Sequence, residues 1–253
     1  MKTMSMMIKA TAAAAMLAGL SLAQAEVVDF EQLQDSPFIT MSGFDAQNNL
    51  IGGQNTFGAY WTEAYGVGAT QPGDMVGAVI NGSQLADTCG AGLSCPKGNN
   101  SQFIAMLDDG YFYLGRNDNT SFKVQSLSAG FIGTADLASY PALSGLLVLT
   151  GYNADGVAIA NSSQLALAGP SGGSFNFATL NLNAAFANTE FSFVKIRGYA
   201  CNAAGSCTSG GNLANYAIDN INVTAAVPEP SSWALMGLGL VAVGAIARRR
   251  QAA

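Results

Sequence analysis

The sequence contains no histidine, and this absence excludes more chemistry than any other feature of the chain. Ser-His-Asp and Cys-His machinery need an imidazole as general base, and histidine-ligated zinc, copper or iron sites need one as a ligand. Charged residues are also scarce, at 10% of the 253 positions. Carboxylates, a few lysines and four cysteines are the reactive groups that remain.

Basic residues are especially few in the central part of the chain. Residues 26–226 contain five basic and fifteen acidic side chains, a net charge of −10, because the other five basic residues lie near the two ends. Nucleic-acid binding needs a basic face that neutralises phosphates. The composition therefore argues against a nucleic-acid partner and is compatible with divalent cations and neutral glycans.

No arrangement of residues predicts catalysis. The adjacent carboxylates of Asp108 and Asp109 precede Gly110 and read as a hairpin turn, whereas glycosidases need two carboxylates about 5–9 Å apart across a cleft. The chain is therefore predicted not to be an enzyme; a glycan-active enzyme with two converging carboxylates is the weaker alternative.

Short apolar runs bounded by turn residues dominate residues 26–226, and helical periodicity is scarce. Examples are QFIAML (102–107) and GLLVLTGYN (145–153), and the one helical candidate is 134–140. About ten or more short strands with regularly spaced turns are typical of a β-sandwich or barrel. The prediction is an all-β fold with one antiparallel, jelly-roll-like β-sandwich.

Four cysteines form two pairs of equal spacing, CGAGLSC and CNAAGSC. Three connectivities are possible. Local bridges are favoured, Cys89 with Cys95 and Cys201 with Cys207, because both loops are short and rich in turn-forming residues. Such small loops are expected to shape surface loops rather than to hold the core.

The N-terminus has the three parts of a secretory signal peptide. Lys2 and Lys9 supply positive charge, residues 10–22 are apolar, and Ala23 and Ala25 form a small-x-small cleavage site. The prediction is a signal peptide over residues 1–25, with Glu26 as the first residue of the exported chain.

The C-terminus contains a short apolar segment. The fifteen residues from Trp233 to Ala247 carry no charge, and Arg248, Arg249 and Arg250 follow directly. A helix of that length spans about 22 Å, less than a full bilayer core. With arginines on the cytoplasmic side and Trp233 at the other interface, this segment is predicted to be a short transmembrane helix that leaves residues 26–227 outside.

An extended peptide, Val227-Pro228-Glu229-Pro230, precedes that segment. The Pro-Glu-Pro triplet, the short hydrophobic helix and the arginine cluster together resemble a PEP-CTERM sorting signal over residues 227–253. The resemblance implies Sec-dependent export, transient anchoring in the inner membrane of a Gram-negative bacterium, and processing by an exosortase-type transpeptidase. It also implies a place at the cell surface or in an exopolysaccharide matrix. A plain membrane anchor preceded by a proline linker is the alternative.

The first and last strands of the body, DFEQL and YAIDNINV, are similar to those of jelly-roll carbohydrate-binding modules. That resemblance implies a structural calcium ion near Glu31 and Asp219, with Asp29 in reserve. Calcium takes about six to eight oxygens, so backbone carbonyls would have to contribute. The alternative is that these polar residues simply face outward from paired strands.

Aromatic residues are the best candidates for a ligand site. Tyr60, Trp61 and Tyr65 cluster in AYWTEAYG, and sugar rings stack on aromatic planes. The same residues also fill sandwich cores, and alternation would turn about half of them inward. The main hypothesis is thus a non-catalytic surface or matrix protein. The second is a carbohydrate-binding module with a specific glycan site, with or without support from calcium.

Overall fold

The computed structural model describes residues 25–33, 38–44, 47, 50–68, 71–85, 89, 92–162 and 164–225, and also 236, 237 and 239. Residues Ala25–Ala225 form one compact unit, and the two ends of the chain are grouped apart from it. The predicted signal peptide up to Ala23, the motif Val227–Pro230, Trp233 and Arg248–Arg250 lie outside the described residues. Within the described part of the chain, no helix is long and apolar enough to cross a membrane.

One sheet contains seven strands in the order β16-β11-β19-β9-β7-β2, with β1 also paired to β19. All of its pairings are antiparallel. Its strands are β1 (Ala25–Val28), β2 (Ile39–Thr40), β7 (Met75–Asn81), β9 (Gln102–Met106), β11 (Phe122–Phe131), β16 (Ala178–Asn181) and β19 (Tyr216–Ala225).

The other large sheet contains eight strands in the order β14-β13-β17-β10-β6-β5, with β15 paired to β13 and β18 to β17. Its strands are β5 (Gln54–Phe57), β6 (Tyr60–Tyr65), β10 (Tyr111–Arg116), β13 (Leu143–Tyr152), β14 (Ala158–Asn161), β15 (Leu165–Ala168), β17 (Phe193–Cys201) and β18 (Cys207–Thr208). Two small pairs complete the strands: β3 (Gly43–Phe44) with β4 (Leu50–Ile51), and β8 (Leu93–Ser94) with β12 (Gly133–Thr134).

Alternation along the strands produces a sandwich. In β6 the burial pattern is strictly alternating, and in β10, β13 and β17 the buried positions recur mainly at every second residue. The inward side chains of both sheets meet in one hydrophobic core that includes Phe112, Leu149, Ile196 and Tyr216. The predicted all-β antiparallel sandwich is therefore confirmed.

β19 changes its partner halfway along one edge. β11 pairs with β19 along its whole length, so β9 and β1 must share the opposite side. β9 pairs with residues 216–218, and β1 pairs with residues 221–224. Asp219 and Asn220 thus lie where one neighbour ends and the next begins; this place is called the junction below.

Both cysteine pairs are disulfide-bonded, Cys89 with Cys95 and Cys201 with Cys207. Cys89 and Cys95 are buried and belong to a second hydrophobic cluster with Ile80, Phe103 and others on the far side of the seven-stranded sheet. The expectation that both bridges only shape surface loops is therefore wrong for this pair, because both of its cysteines pack in that cluster.

Helical structure is limited and differs from the prediction. A 3-10 turn covers Leu137–Ser139, inside the predicted segment 134–140. A short helix that the sequence pattern missed, α1 (Ala184–Ala187), begins after Asn183, whose side chain accepts a hydrogen bond from the Phe186 amide.

Candidate functional site

Strand alternation separates the three aromatic residues proposed for stacking. Tyr60 lies in the core at 2% exposure, and its hydroxyl donates to Glu26 (2.9 Å) and accepts from Arg116 (3.2 Å). Trp61 and Tyr65 lie on the outer side of the same strand and are partly exposed. The prediction that Tyr60 offers a stacking surface is wrong, because its ring faces the opposite sheet.

The outer side of the eight-stranded sheet carries a continuous set of aromatic rings. We call this set the aromatic platform; its rings are those of Trp61, Tyr65, Tyr111, Tyr113, Tyr152 and Phe193. The strand registers align it in cross-strand rows over β6, β10, β17 and β13. The first row is Trp61, Gly115, Phe193 and Tyr152; the second is Glu63, Tyr113, Lys195 and Thr150; the third is Tyr65, Tyr111, Arg197 and Val148.

The rings of the platform contact one another directly. Tyr152 and Phe193 stack with centroids 4.9 Å apart, and Tyr65 and Tyr111 stack at 5.7 Å. Tyr113 meets rings from both pairs edge to face. This mutual packing fixes the ring planes before any ligand arrives.

Trp61 is positioned by a glycine. A Cβ atom at Gly115 would collide with the indole ring, so the ring lies across the backbone of β10. The indole N–H donates to the Arg116 carbonyl at 3.1 Å. Because its polar atom is used there, the rest of Trp61 presents an apolar surface.

Two phenols of the platform, those of Tyr65 and Tyr113, keep their protons at neutral pH. Burial, together with the charge and hydrogen bond of Glu63, raises the pKa of Tyr65 to about 12. Burial and the neighbouring tyrosines raise the pKa of Tyr113 to about 12 as well. The platform therefore combines ring faces with neutral hydroxyl groups that donate and accept hydrogen bonds.

The junction contains a buried carboxylate that is only half satisfied. Asp219 is fully buried, and its Oδ2 accepts hydrogen bonds from Ser101 (2.7 Å), Asn99 (2.8 Å) and Asn220 (2.9 Å). Its Oδ1 is buried and has no hydrogen-bond partner among the described residues. Buried carboxylate oxygens are normally paired, so this atom needs an explanation.

A second orphaned oxygen lies on the neighbouring strand β9. The backbone N–H of Gln102 donates to Glu31 Oε1 at 2.7 Å, which brings the end of β1 to the start of β9. The side-chain Oε1 of Gln102 is buried and has no partner in the described part of the chain. A buried acceptor without a donor is what a bound cation would satisfy.

The residues at the junction fit a cation with oxygen ligands. Burial raises the pKa of Asp219 above its ordinary value, and the negative charge of Glu31 adds to the rise. Glu31, Gln102 and Asp219 would supply side-chain oxygens to the ion. Among the described residues no cluster of three or more carboxylate, cysteine or histidine groups forms a metal site, so amide and carbonyl oxygens would have to complete the shell. Asp29 Oδ1 accepts from the Glu31 amide at 3.3 Å within a turn, and its place as a reserve ligand stays a prediction.

Asp109 is a second buried carboxylate and, unlike Asp219, it accepts hydrogen bonds with both of its oxygens. It is 2% exposed, its Oδ2 accepts from the Asn212 amide, and its Oδ1 accepts from the amides of Leu213 and Ala214. The turn that holds it joins β9 to β10, which lie in different sheets. The predicted hairpin is therefore wrong. Asp109 lies in a connection between the two sheets and binds the backbone of the loop at residues 212–214.

Sequence patterns could have revealed part of these sites. Phe193, Lys195, Arg197 and Tyr199 alternate along one strand, and this period-two pattern already places them on one face. Nothing in the sequence singles out Asn99, Ser101 or Gln102, because their proximity to Asp219 depends on the partner change along β19.

A family model, the PEP-CTERM protein-sorting motif, matches residues 226–251. The chain therefore carries this motif, as the sequence predicted. The motif implies an exported protein that is held at the membrane by its C-terminus before exosortase processing.

Solved structures resemble the body only distantly, and no curated relative matches in sequence. A DUF4465 family protein from Bacteroides caccae has a TM-score of 0.48 and 14% identity over 80% of this chain and 100% of its own. A DUF4465 family protein from Bacteroides ovatus has 0.44 and 11% over 80% and 99%. The CBM51-2 and INT domains of Clostridium perfringens ZmpB, in complex with GlcNAc, have 0.29 and 12% over 79% and 40%. The fold assignment accordingly rests on the strand pairing of the chain itself.

Proposed function

We propose that the protein is a non-catalytic surface or matrix protein whose β-sandwich binds extracellular polysaccharide on the aromatic platform. The observation that carries the proposal is the outward row of Trp61, Phe193 and Tyr152 and the tyrosines beside it. Large apolar surfaces that remain exposed in an exported protein mark interaction sites. The proposed division is a signal peptide over 1–25, the sandwich over 26–226 and the sorting signal over 227–253.

Polysaccharide suits this surface better than an apolar protein partner. The rings are flat, fixed by mutual contacts and interleaved with Glu63, Thr150, Lys195 and the tyrosine hydroxyls. A pyranose presents an apolar face to a ring and hydroxyls to the polar groups around it. Binding to fixed rings also costs little conformational entropy.

The platform is proposed to bind without reacting. Of the outward positions on β6, β10, β13 and β17, Glu63 is the one carboxylate. Its Oε1 accepts from Gln54 and its Oε2 from Tyr65. Hydrolysis of a glycoside needs a second carboxylate facing the first across the bond, and these strands do not present one there.

Affinity electrophoresis tests the binding. The protein should be retarded in gels that contain exopolysaccharide from the native host, and Trp61→Ala should remove most of the retardation. Val27→Ala is the control, because Val27 is 46% exposed and lies on β1 of the seven-stranded sheet, whereas the platform lies on the eight-stranded sheet. Equal retardation of Trp61→Ala and the unchanged protein would contradict the proposed site.

Mass spectrometry of secreted protein tests the sorting. The mature chain is expected to begin at Glu26 and to end near Pro228–Pro230. Cleavage after Ala25 would remove one residue of β1, which pairs opposite Thr224. Full-length protein that stays in the inner membrane would favour a plain anchor instead.

A second candidate property, a structural calcium ion at the junction, is favoured by the two orphaned oxygens of Gln102 and Asp219. When bound, the ion would supply positive charge between the end of β1 and the start of β9. A proton on Asp219 is the competing explanation, because it would turn one orphaned acceptor into a donor. Only the ion predicts that stability depends on a chelator.

A further inference from the structure

We infer that the polysaccharide bound by the platform is acidic, and that Lys195 and Arg197 recognise its carboxylate groups. The inference rests on the proposed function and specifies the ligand class of the same surface. It runs against the composition of the body, whose net charge of −10 by itself favours neutral glycans.

The two basic side chains lie in the middle of the platform. They occupy successive outward positions of β17, which lies between β10 and β13. Lys195 Nζ lies 5.5 Å from the ring centre of Tyr111. Arg197 Cζ lies 5.7 Å from the same ring and 5.6 Å from the ring of Tyr199. Aromatic contacts of this kind hold a cation in place without neutralising its charge.

No described carboxylate neutralises these two cations. The ion pairs of the described residues join Arg116 to Glu26 and Asp118, and Lys123 to Glu190. In a body with three acidic residues for every basic one, a purely structural cation would be expected to have an acidic partner. Lys195 and Arg197 are therefore available to an anionic ligand.

Arg197 is oriented for such a ligand. One of its terminal nitrogens, Nη2, donates to Ser209 Oγ at 2.6 Å, which fixes the guanidinium plane. Its Nε–H is buried and has no acceptor in the described part of the chain. A guanidinium held in this way keeps N–H groups on its terminal nitrogens for hydrogen bonds to a carboxylate, and the buried Nε–H takes no part.

The surface is long enough for a polymer. Phe193 and Tyr199 are six positions apart on β17, about 20 Å at the usual strand rise. Beyond Tyr199 the face continues into a pocket of about 370 Å³ lined in part by Leu146, Asn161, Gln164 and Cys207. Rings at one end, cations in the middle and a partly polar pocket at the other end suit an extended chain of acidic sugars.

An anionic membrane surface is the competing ligand class, since it also attracts aromatic and basic side chains. Two observations favour the polysaccharide. The platform rings are only partly exposed and are held by contacts with one another, so they do not project as wedges into a lipid surface. The rest of the body is strongly acidic and would be repelled by anionic headgroups.

Calorimetric titration of the purified protein with short oligogalacturonates and their methyl esters tests the inference. The two probes share one sugar backbone, and each charged carboxylate of the acid is a neutral methyl ester in the other. We expect the acid form to bind about tenfold or more tightly than the ester, as for hydrogen bonds to charged groups. Lys195→Gln combined with Arg197→Gln should reduce acid binding to the level of the ester, and Lys97→Gln, at an exposed lysine off the platform, should change neither.

Each other outcome has a defined meaning. Equal binding of acid and ester, lost in Trp61→Ala, would overturn the acidic ligand and retain the proposed function. Binding of neither probe, together with no retardation by host exopolysaccharide, would overturn both. Sedimentation with phosphatidylglycerol vesicles that is lost in the double glutamine variant would overturn the inference in favour of a membrane surface. Circular dichroism should show that each variant is folded at the temperature of the titration, because Trp61 and Arg197 also make contacts within the protein.

Discussion

The junction and the platform depart from ordinary sandwich packing in opposite ways. At the junction, on the seven-stranded sheet, polar atoms of Gln102 and Asp219 are buried without a hydrogen-bond partner in the described part of the chain. On the platform, on the eight-stranded sheet, rings such as Trp61 and Tyr152 remain partly exposed. Buried polar atoms and exposed apolar patches are the two observations that packing alone leaves unexplained.

The difference indicates separate roles. An unpaired buried oxygen lowers stability until something binds it, so a ligand at the junction is coupled to folding. An exposed ring costs the folded state little, so a ligand on the platform can be gained or lost without affecting the fold. The two regions should accordingly respond to different measurements.

The largest effect is expected at Asp109, the buried carboxylate whose acceptors are all used. Asp109→Ala leaves three backbone N–H groups without their acceptor and should reduce the free energy of unfolding by at least about 3 kcal/mol. Asp108→Ala is the matched control, because Asp108 and Asp109 both have positive φ, 53° and 57°, and alanine strains both alike. Urea unfolding of the two variants measures the difference; equal losses would mean that the turn, not the carboxylate, matters.

The next largest effect is expected from calcium at the junction. A ligand specific for the folded state adds about 2.7 kcal/mol at a hundredfold excess over Kd. For a domain of this size that raises Tm by roughly 5–11 °C. Melting curves with calcium and with chelator should differ by this amount in the unchanged protein, and should coincide in Asp219→Ala and in Gln102→Ala. Coincident curves for the unchanged protein would remove the calcium proposal and leave the platform unaffected.

A smaller effect is expected from pH in the presence of chelator. The pKa of Asp219 is raised in the folded state, so its ionised form costs stability at neutral pH, and this cost disappears as pH falls toward the ordinary value of 3.8. Asp219→Asn should then be more stable than the unchanged protein at pH 7, and the gap should close on acidification. A gap that widens on acidification would mean that the ionised carboxylate is stabilised by partners in the fold.

The sequence predicted the elements better than the sites. Alternation and turn residues were sufficient for the sandwich, and equal cysteine spacing for local bridges, because these depend on neighbours in the chain. The same alternation separates Tyr60 from Trp61, but it does not say which face of a strand meets the other sheet. At the junction, the sequence predicted only Glu31 and Asp219. It did not predict Gln102, because β9 meets β19 where β19 changes its partner, and these strands are far apart in sequence.

Of the regions compared, the platform is expected to affect stability least, and it also offers the most direct test of function. The central claim is that polysaccharide binds across Trp61, the only tryptophan of the body. In nitrogen–proton NMR spectra, oligosaccharides from the host exopolysaccharide should shift the indole resonance of Trp61 and the amides of β10 and β17. They should leave Asn220 at the junction and the indole of Trp233 unchanged. Shifts confined to the junction, or an indole of Trp61 that does not respond at saturating ligand, would contradict the account.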